Sequence, residues 1–272
     1  MSTSIRGSIL GSPVEHSLSP LLHREAFDFL GIQGEYLRNE VTLGSFASFF
    51  EDNKDSFNYF SITMPLKEEA VSLPVEIDPL INRIQSANTL YQREGQWHLT
   101  STDGSGFIAA LRHEGHQRFN RVLVLGAGGT ARAVVGALDG VCDEINVLGR
   151  TSTRRDVLES AVETSSFEYI RWNDNPNFSD YDLVVNTTPA GAADLLADSV
   201  QSGSCNLLFD VIYKPWPTVL ASRWSDSGGK VINGLELLLY QGIQQLSLAL
   251  DRELDELALA THIRPILRKA LR

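Results

Sequence analysis

A chain of 272 residues has room for two domains at roughly 150 residues each, and 43% hydrophobic with 21% charged residues is ordinary globular usage, which excludes disordered, collagen-like and coiled-coil chains. Lys+Arg 23 against Asp+Glu 34 leaves a formal charge of -11, a field that repels nucleic acid over most of the surface but permits a locally positive pocket for a small anion. Cys142 and Cys205 lack CxxC or Cys/His spacing and no stretch reaches the ~18 apolar residues of a membrane span, so two buried thiols in a reducing cytoplasm are expected, without disulfide, zinc or membrane.

In chain order, Ile5–Leu10 reads as a strand, Pro20–Leu30 as a helix, and Tyr36–Val41 and Phe57–Thr63 as strands. Alternating strand and helix predict βαβ units, hence parallel sheets with helices on both faces. Two alternating runs within Leu90–Thr100, flanking Glu94-Gly95-Gln96, predict a hairpin that closes a first domain. An amphipathic run with Phe107, Ile108 and Leu111 then leads into Arg121–Leu125, a continuous apolar strand of the kind buried on both faces. A helix over Ala131–Leu138 and strands at Glu144–Leu148, Asp182–Asn186 and Asn206–Ile212 build a second domain. Long helical periods at Leu235–Leu250 and Glu253–Leu271 are expected to pack back onto the first domain, giving boundaries of 1–103 plus about 238–272 and 104–237.

Gly126-Ala127-Gly128-Gly129-Thr130-Ala131-Arg132 follows the buried strand and opens a helix. Glycines there allow a tight turn and let backbone N–H groups approach a pyrophosphate, whose charge the helix dipole favours. About twenty residues on, where an acid would hold the ribose hydroxyls of NAD, the chain has Arg150, Thr151 and Arg154, which suit a 2′-phosphate through charge-assisted bonds. NADP is therefore the expected cofactor.

In the first domain, a strand runs into the loop Gly11–Pro20, whose Ser17 and Ser19 suit a polyol or carboxylate; taken alone, Ser19 reads as a helix cap and His16 as a loop-ordering side chain. The segment Ser61–Glu68 repeats the design: a strand ends at Thr63, and a helix expected from Pro65 projects Lys67 from its first turn, against the dipole. Ser86–Thr89 and Ser101–Gly104 contribute Asn88 and Asp103 at the edges of the hairpin. His113-Glu114-Gly115-His116 lacks the HExxH spacing that puts two imidazoles on one helical face, so no metal is expected. Trp216, between two prolines, reads as a buried packing residue, and Leu235, Leu238 and Leu239 as core.

GSPxxHSxSP, xITMPxKEEA, SANTL, STDGxG, GAGGxAR, GRT, VNTTPAG, DVIYxPWPT and NGLELLLYQ occur in that order, and with them the chain resembles the shikimate dehydrogenase family over essentially its full length, the ITMPxK and YxPWPT wording being closest to its actinobacterial branch. The resemblance implies an α/β protein of two domains: an N-terminal α/β substrate-binding domain and a Rossmann-like NADP-binding domain, with a cleft between them whose closure excludes water. It implies NADPH-dependent, reversible reduction of 3-dehydroshikimate to shikimate on the route to chorismate and aromatic amino acids, by a monomer or homodimer. Lys67 and Asp103 match the family's catalytic pair. Ser17, Ser19, Ser61, Thr63, Asn88, Tyr213 and Gln241 fall at substrate-contacting positions. Gly126, Ala127, Gly128, Gly129, Thr130, Ala131, Arg150, Thr151 and Arg154 match the cofactor motifs, while Asn186 and Thr187 fall on the ribose and nicotinamide side and Gly234 borders the nicotinamide pocket.

Ser61, Ser101 and Gly149 stand where the family commonly has asparagine, and Leu237 where methionine is frequent. A direct amide contact is thus lost at Ser61 unless water bridges the shorter side chain. Two other readings are a quinate/shikimate dehydrogenase using NAD, which Arg150 disfavours, and a non-catalytic NADP-binding regulatory module, which retention of Lys67 and Asp103 disfavours.

Overall fold

In a computed structural model, which describes residues 4–174, 176–201 and 206–271, the chain divides into two compact units. One runs to Gly106 and resumes over Leu238–Ala270; the other is Phe107–Leu237. The first unit opens with β1 (Ile5–Gly11), α1 (Ser19–Leu30), β2 (Gly34–Glu40), α2 (Phe46–Asn53) and β3 (Tyr59–Ile62). It continues through β4 (Glu76–Ile77), α3 (Pro79–Ile84), β5 (Thr89–Arg93) and β6 (Gln96–Thr100). Its sheet runs β2-β1-β3-β5-β6-β4 and is mixed: β1 is parallel to β2 and β3, whereas β5 is antiparallel to both β3 and β6. The antiparallel pairing enters at β5 and β6, which are joined directly as the hairpin expected over Leu90–Thr100. Glu94 and Gly95, with φ 51° and 78°, make the two-residue turn that lets Arg93 face Gln96.

The helix α4 (Asp103–His113) leads into the second unit, which contains β7 (Phe119–Leu125), α5 (Gly129–Leu138), β8 (Cys142–Gly149), α6 (Arg155–Glu159) and β9 (Ser166–Arg171). There follow β10 (Leu183–Asn186), β11 (Leu207–Asp210), α7 (Val219–Asp226) and β12 (Lys230–Asn233). Every pairing is parallel, in the order β12-β11-β10-β7-β8-β9. This is a doubly wound sheet whose order reverses between β7 and β10, the point where such sheets bind ligands at the carboxyl ends of their strands. Val122, Leu123, Val124 and Leu125 of β7 are fully buried, as a strand covered on both faces requires. On one face Trp224 packs against Phe178, within a core that includes Leu208 and Leu196.

The chain returns to the first unit within α8 (Gly234–Ala249) and ends in α9 (Glu256–Ala270). Asp255 accepts the Ala258 N–H and starts α9. The return is close: a Cβ on Gly242 would lie 2.9 Å from Leu22 of α1, and Phe29 of α1 meets His262 of α9.

The sequence does not announce β4, β9 and β12, nor α2, α3, α6 and α7. β4 has two residues and β12 four, and β9 is half exposed, so none carries a long apolar period. Trp216 is 37% exposed rather than buried. Leu235 and Leu239 are core, while Leu238 is half-buried. Cys142 is a buried free thiol, and burial pushes it up to about 12; Cys205 lies outside the described residues. Among the described residues no helix is long and apolar enough to cross a membrane.

Trp224 is fully buried and its indole N–H donates to the Asn206 carbonyl at 3.1 Å, so truncation leaves a cavity and removes one of the two hydrogen bonds to that carbonyl, the other coming from the Lys230 N–H. We expect Trp224→Ala to lower unfolding free energy by about 3–5 kcal/mol in urea titrations. A loss under about 1 kcal/mol would show that this face of the sheet repacks.

Candidate active site

Lys67 does not stand on a helix. Residues 63–68 form turns, and the first helical segment after them is the short 3-10 stretch Glu69–Ser72. Proline fixed the turn rather than a helix start, so the dipole opposing Lys67 is absent. The Lys67 carbonyl accepts the Ala87 N–H at 2.9 Å, which ties this turn to the segment carrying Asn88, just before β5. The Lys67 ammonium is paired with Asp103 Oδ2, and the two side chains are only 15% and 6% exposed. Asp103 opens α4, where the helix dipole favours an anion.

Asn88 Nδ2 donates to Asp103 Oδ1 at 2.7 Å and lies 3.1 Å from Gln241 Oε1. The approach of α8 that brings Gln241 here depends on Gly106, whose Cβ would lie 2.6 Å from the Gln241 backbone nitrogen. Thr102 Oγ1 donates to the Gln241 carbonyl at 3.1 Å. Lys67, Asn88, Asp103 and Gln241 are thus one hydrogen-bonded group.

Ser19 is not the helix cap. Leu18 occupies that position, and the Ser17 hydroxyl accepts the Ser19 N–H at 3.2 Å. Ser17 and Thr63 are half-buried and Ser19 is buried; His16 is exposed, so it does not order its loop by burial. The Ser61 hydroxyl donates to Gln245 Oε1 at 2.6 Å and accepts from the Tyr36 hydroxyl at 2.5 Å, which commits its proton within the protein. Tyr36 stacks on His23 at 4.0 Å, and His23 Nδ1 meets the Tyr59 hydroxyl at 2.9 Å. Burial lowers His23 to about 3, so this ring is neutral at ordinary pH. Tyr36, Thr89 and Gln245 escaped the sequence reading; the one signal for Gln245 is its place a single helical turn after Gln241. The Ser101 hydroxyl beside this group is buried without a hydrogen-bond partner.

In the second unit, Gly126 has φ 104°, and a Cβ there would lie 2.8 Å from Thr187 Oγ1. Both the N–H and the hydroxyl of Thr187 donate to the Leu125 carbonyl, which fixes the turn. Helix α5 starts from Gly128 with no side-chain cap and no acid in its first turn, a helix N-terminus whose dipole suits an anion. Ala127, Gly128, Gly129 and Thr130 are all half-buried, and Ala131 packs beneath them. Arg154 reaches across to donate to the Ala127 carbonyl at 3.2 Å, while Arg150 and Thr151 are exposed. These residues fit a dinucleotide: an uncapped helix N-terminus for the pyrophosphate and two guanidinium groups at the end of β8 for a further phosphate.

Asn186 donates to Asp210 Oδ1 at 3.1 Å and accepts from Thr188, and Thr218 donates to the other Asp210 oxygen at 2.7 Å. Burial raises Asp210, which the sequence reading passed over although it opens the stretch Asp210–Thr218. Tyr213, half-buried, follows in the same loop. Gly234 starts α8 where a Cβ would meet the Val211 carbonyl oxygen at 1.9 Å. Gly149 is excluded from carrying a side chain for a different reason: its Cβ would lie 1.8 Å from the Tyr169 hydroxyl, which donates to the Thr151 carbonyl at 2.5 Å.

Comparison with known proteins gives a consistent neighbourhood. Residues 9–90 match the model of the shikimate dehydrogenase substrate binding domain. The chain is 30% identical over 241 residues to the shikimate dehydrogenase (NADP(+)) of Ignicoccus hospitalis, covering 87% of this chain and 90% of that one. It is 35% identical over 247 residues to the shikimate dehydrogenase (NADP(+)) of Sinorhizobium medicae, covering 86% and 85%. The crystal structure of shikimate 5-dehydrogenase from Thermus thermophilus in complex with NADP(H) and shikimate superposes with a TM-score of 0.82 at 29% identity, over 96% of this chain and 99% of that one.

The Gly149 contact yields a stability test. Gly149→Ala should lower the melting temperature, because the Tyr169 hydroxyl must leave the Thr151 carbonyl; overpacking of this kind costs about 1–3 kcal/mol. In a Tyr169→Ala background the same substitution should be nearly neutral. Additive losses in the double variant would mean that the two positions do not compete for one space.

Proposed function

This chain belongs to the shikimate dehydrogenase family, and on that premise we propose that it reduces 3-dehydroshikimate to shikimate with NADPH, reversibly, on the route to chorismate and aromatic amino acids. The observation that carries this reading is the Lys67–Asp103 pair, nearly buried and held by Asn88. In our assignment residues 1–103 with about 238–272 bind the substrate and 104–237 bind the cofactor. Lys67 and Asp103 are the catalytic residues; Ser17, Ser19, Thr63, Asn88, Tyr213 and Gln241 surround the substrate, with Ser61 beneath it.

NADPH bound at the glycine turn supplies the hydride. The protein must meet the negative charge that then grows on the carbonyl oxygen. The Lys67 ammonium faces it, stabilises it and gives it a proton, so the ketone becomes an alcohol with one hydride and one proton gained. Asp103 holds the ammonium in place and accepts a hydrogen bond from a substrate hydroxyl. In the second unit the leading N–H groups of α5 take the pyrophosphate and Arg150 and Arg154 take the 2′-phosphate. A basic end of β8 favours this reading over an NAD-dependent one. We place the protein in the cytoplasm, as a monomer or homodimer acting on a small-molecule substrate; the free thiol of Cys142 agrees with a reducing compartment.

Lys67→Met keeps the stem and removes the charge. We expect kcat with shikimate and NADP+ to fall at least ~100-fold while NADPH affinity, followed by nucleotide fluorescence, is unchanged. Near-normal kcat would remove Lys67 from the chemistry.

Arg150→Ala should raise KM for NADP+ roughly 10–150-fold, the equivalent of about 1.5–3 kcal/mol of charge-assisted bonding, and leave KM for NAD+ almost unaltered. The wild-type preference for NADP+ should shrink as salt rises, since the contact is exposed. Equal losses with both nucleotides would show that Arg150 supports the fold, and a wild-type preference for NAD+ would refute the cofactor assignment.

A further inference from the structure

A buried chain of hydrogen bonds constrains its members when something fixes the direction of donation, and here two backbone groups do so. The Asn88 carbonyl can only accept, and it lies 3.0 Å from Gln245 Nε2; the Gln245 amide must therefore turn its NH2 to this carbonyl and its oxygen to the Ser61 hydroxyl. The Thr102 N–H can only donate, and it lies 2.7 Å from Asn88 Oδ1; Asn88 must therefore turn its NH2 to Asp103. Between these two amides sits the Thr89 hydroxyl, 3.0 Å from Gln245 Nε2 and 2.7 Å from Asn88 Oδ1. It accepts from the first, so its proton is committed to the second. Donation runs one way, from Tyr36 to Ser61 to Gln245, then to Thr89, Asn88 and the Asp103 carboxylate.

Gln245 is 1% exposed and Thr89 0%, so water does not compete at either. Loss of the Gln245 donor would free the Thr89 hydroxyl to reverse and would leave the Asn88 carbonyl with the Ile62 N–H as its remaining donor. The Asn88 side chain would then lose the Thr89 donor to its Oδ1, the shorter of the two hydroxyl contacts there, and keep the Thr102 N–H.

Resting on the reading given under Proposed function, we propose that Gln245 is a positioning residue of the reaction: through the Thr89 hydroxyl it sets the face of Asn88 that holds Asp103, and it does not itself touch substrate. Ser61 on this view is the link between Tyr36 and Gln245 rather than a donor to the substrate. Gln245 lies one turn beyond Gln241 on α8, so a single helix supplies a group to the catalytic cluster and the group that orients it.

Three variants test this with shikimate and NADP+. Gln245→Leu removes both halves of the amide, and Thr89→Val removes only the hydroxyl at constant shape. Gln245→Glu keeps the outline, but its carboxyl can donate as the amide does only when protonated. We expect Gln245→Leu and Thr89→Val to lower kcat roughly 10- to 100-fold, the scale of a misplaced catalytic group, with KM for NADP+ within about twofold of wild type. The kcat of Gln245→Glu relative to wild type should climb as pH is lowered, whereas the ratio for Gln245→Leu should stay flat. The titratable groups Tyr36, Tyr59, Lys67 and Asp103 face this region in all the proteins; His23, whose ring also meets the Gln245 side chain, is controlled by repeating the profile in a His23→Phe background. If Gln245→Leu fails to fold, Thr89→Val and Gln245→Glu decide. Variant kcat within twofold of wild type, or a flat ratio for Gln245→Glu, would overturn the positioning role. Absence of wild-type turnover would instead remove the functional reading and this inference with it; turnover with unaltered variants removes the inference alone.

Discussion

A carboxylate at 6% exposure has given up most of its water, and the first unit is organised around replacing it. Lys67 supplies the opposite charge and Asn88 a neutral donor, so Asp103 is held by two groups of different kinds. Each of these must be delivered from elsewhere in the chain. Lys67 comes from a turn pinned by the Ala87 N–H to the segment just before β5 that carries Asn88, and Asp103 from the first residue of α4. Gly106, one turn on, lets α8 pass within backbone contact, so Gln241 arrives at the same point. The pair is thereby held in one geometry by the protein's own groups, which is the condition for electrostatic stabilisation of a developing charge without reorganisation. Removing either partner would strand the other in a poorly solvated place, so the two residues are expected to be far from additive in their effects.

The second unit answers a different constraint, the close approach of backbone to an anion. Gly126 is required by its positive φ and by Thr187; Gly234 is required by the Val211 carbonyl although nothing about its own backbone is unusual. Gly149 is required by a side chain, Tyr169, that also braces the Thr151 carbonyl. Three glycines in one nucleotide-binding unit thus have three separate causes. Arg154 reaches from the segment after β8 to the Ala127 carbonyl and so ties the two strand ends together.

Much of this was legible in the sequence because its causes are local. The glycine turn between a buried strand and a helix, the hairpin at Glu94-Gly95, and the polar residues at strand ends all rest on neighbours a few positions away. Where the reading failed, the deciding neighbour was distant or the local signal ambiguous. Pro65 opens a turn as readily as a helix, and the Lys67 carbonyl, bonded to Ala87, is unavailable to a helical partner. Ser19 follows the cap instead of forming it because Leu18 takes that position. Gln245 carries no motif: beside Gln241 and Gln244 on the same helix it reads as an incidental amide, and only the fold shows that positions 61, 88 and 89 converge on it.

The two departures from the family pattern that bear on the sites have the same structure of explanation. At Ser61 a shorter side chain is matched by Gln245, whose amide oxygen takes the hydroxyl proton; at Gly149 a missing side chain is matched by Tyr169, whose hydroxyl lies where that side chain would be. In each case the change at one position is filled by a polar group from an element far along the chain, and in each case the incoming group also grips backbone: the Asn88 carbonyl in one, the Thr151 carbonyl in the other. A polar group inserted into a tight space must satisfy its own hydrogen-bonding demand, and the backbone beside a functional residue offers the nearest acceptor. Replacement of a direct contact therefore converts a side chain that could reach a ligand into one that orients the loop or strand around it. Lys67, Asn88 and Asp103 are thus partnered within one another's motifs, whereas Ser61 and Gly149 are met by Gln245 and Tyr169 from outside them.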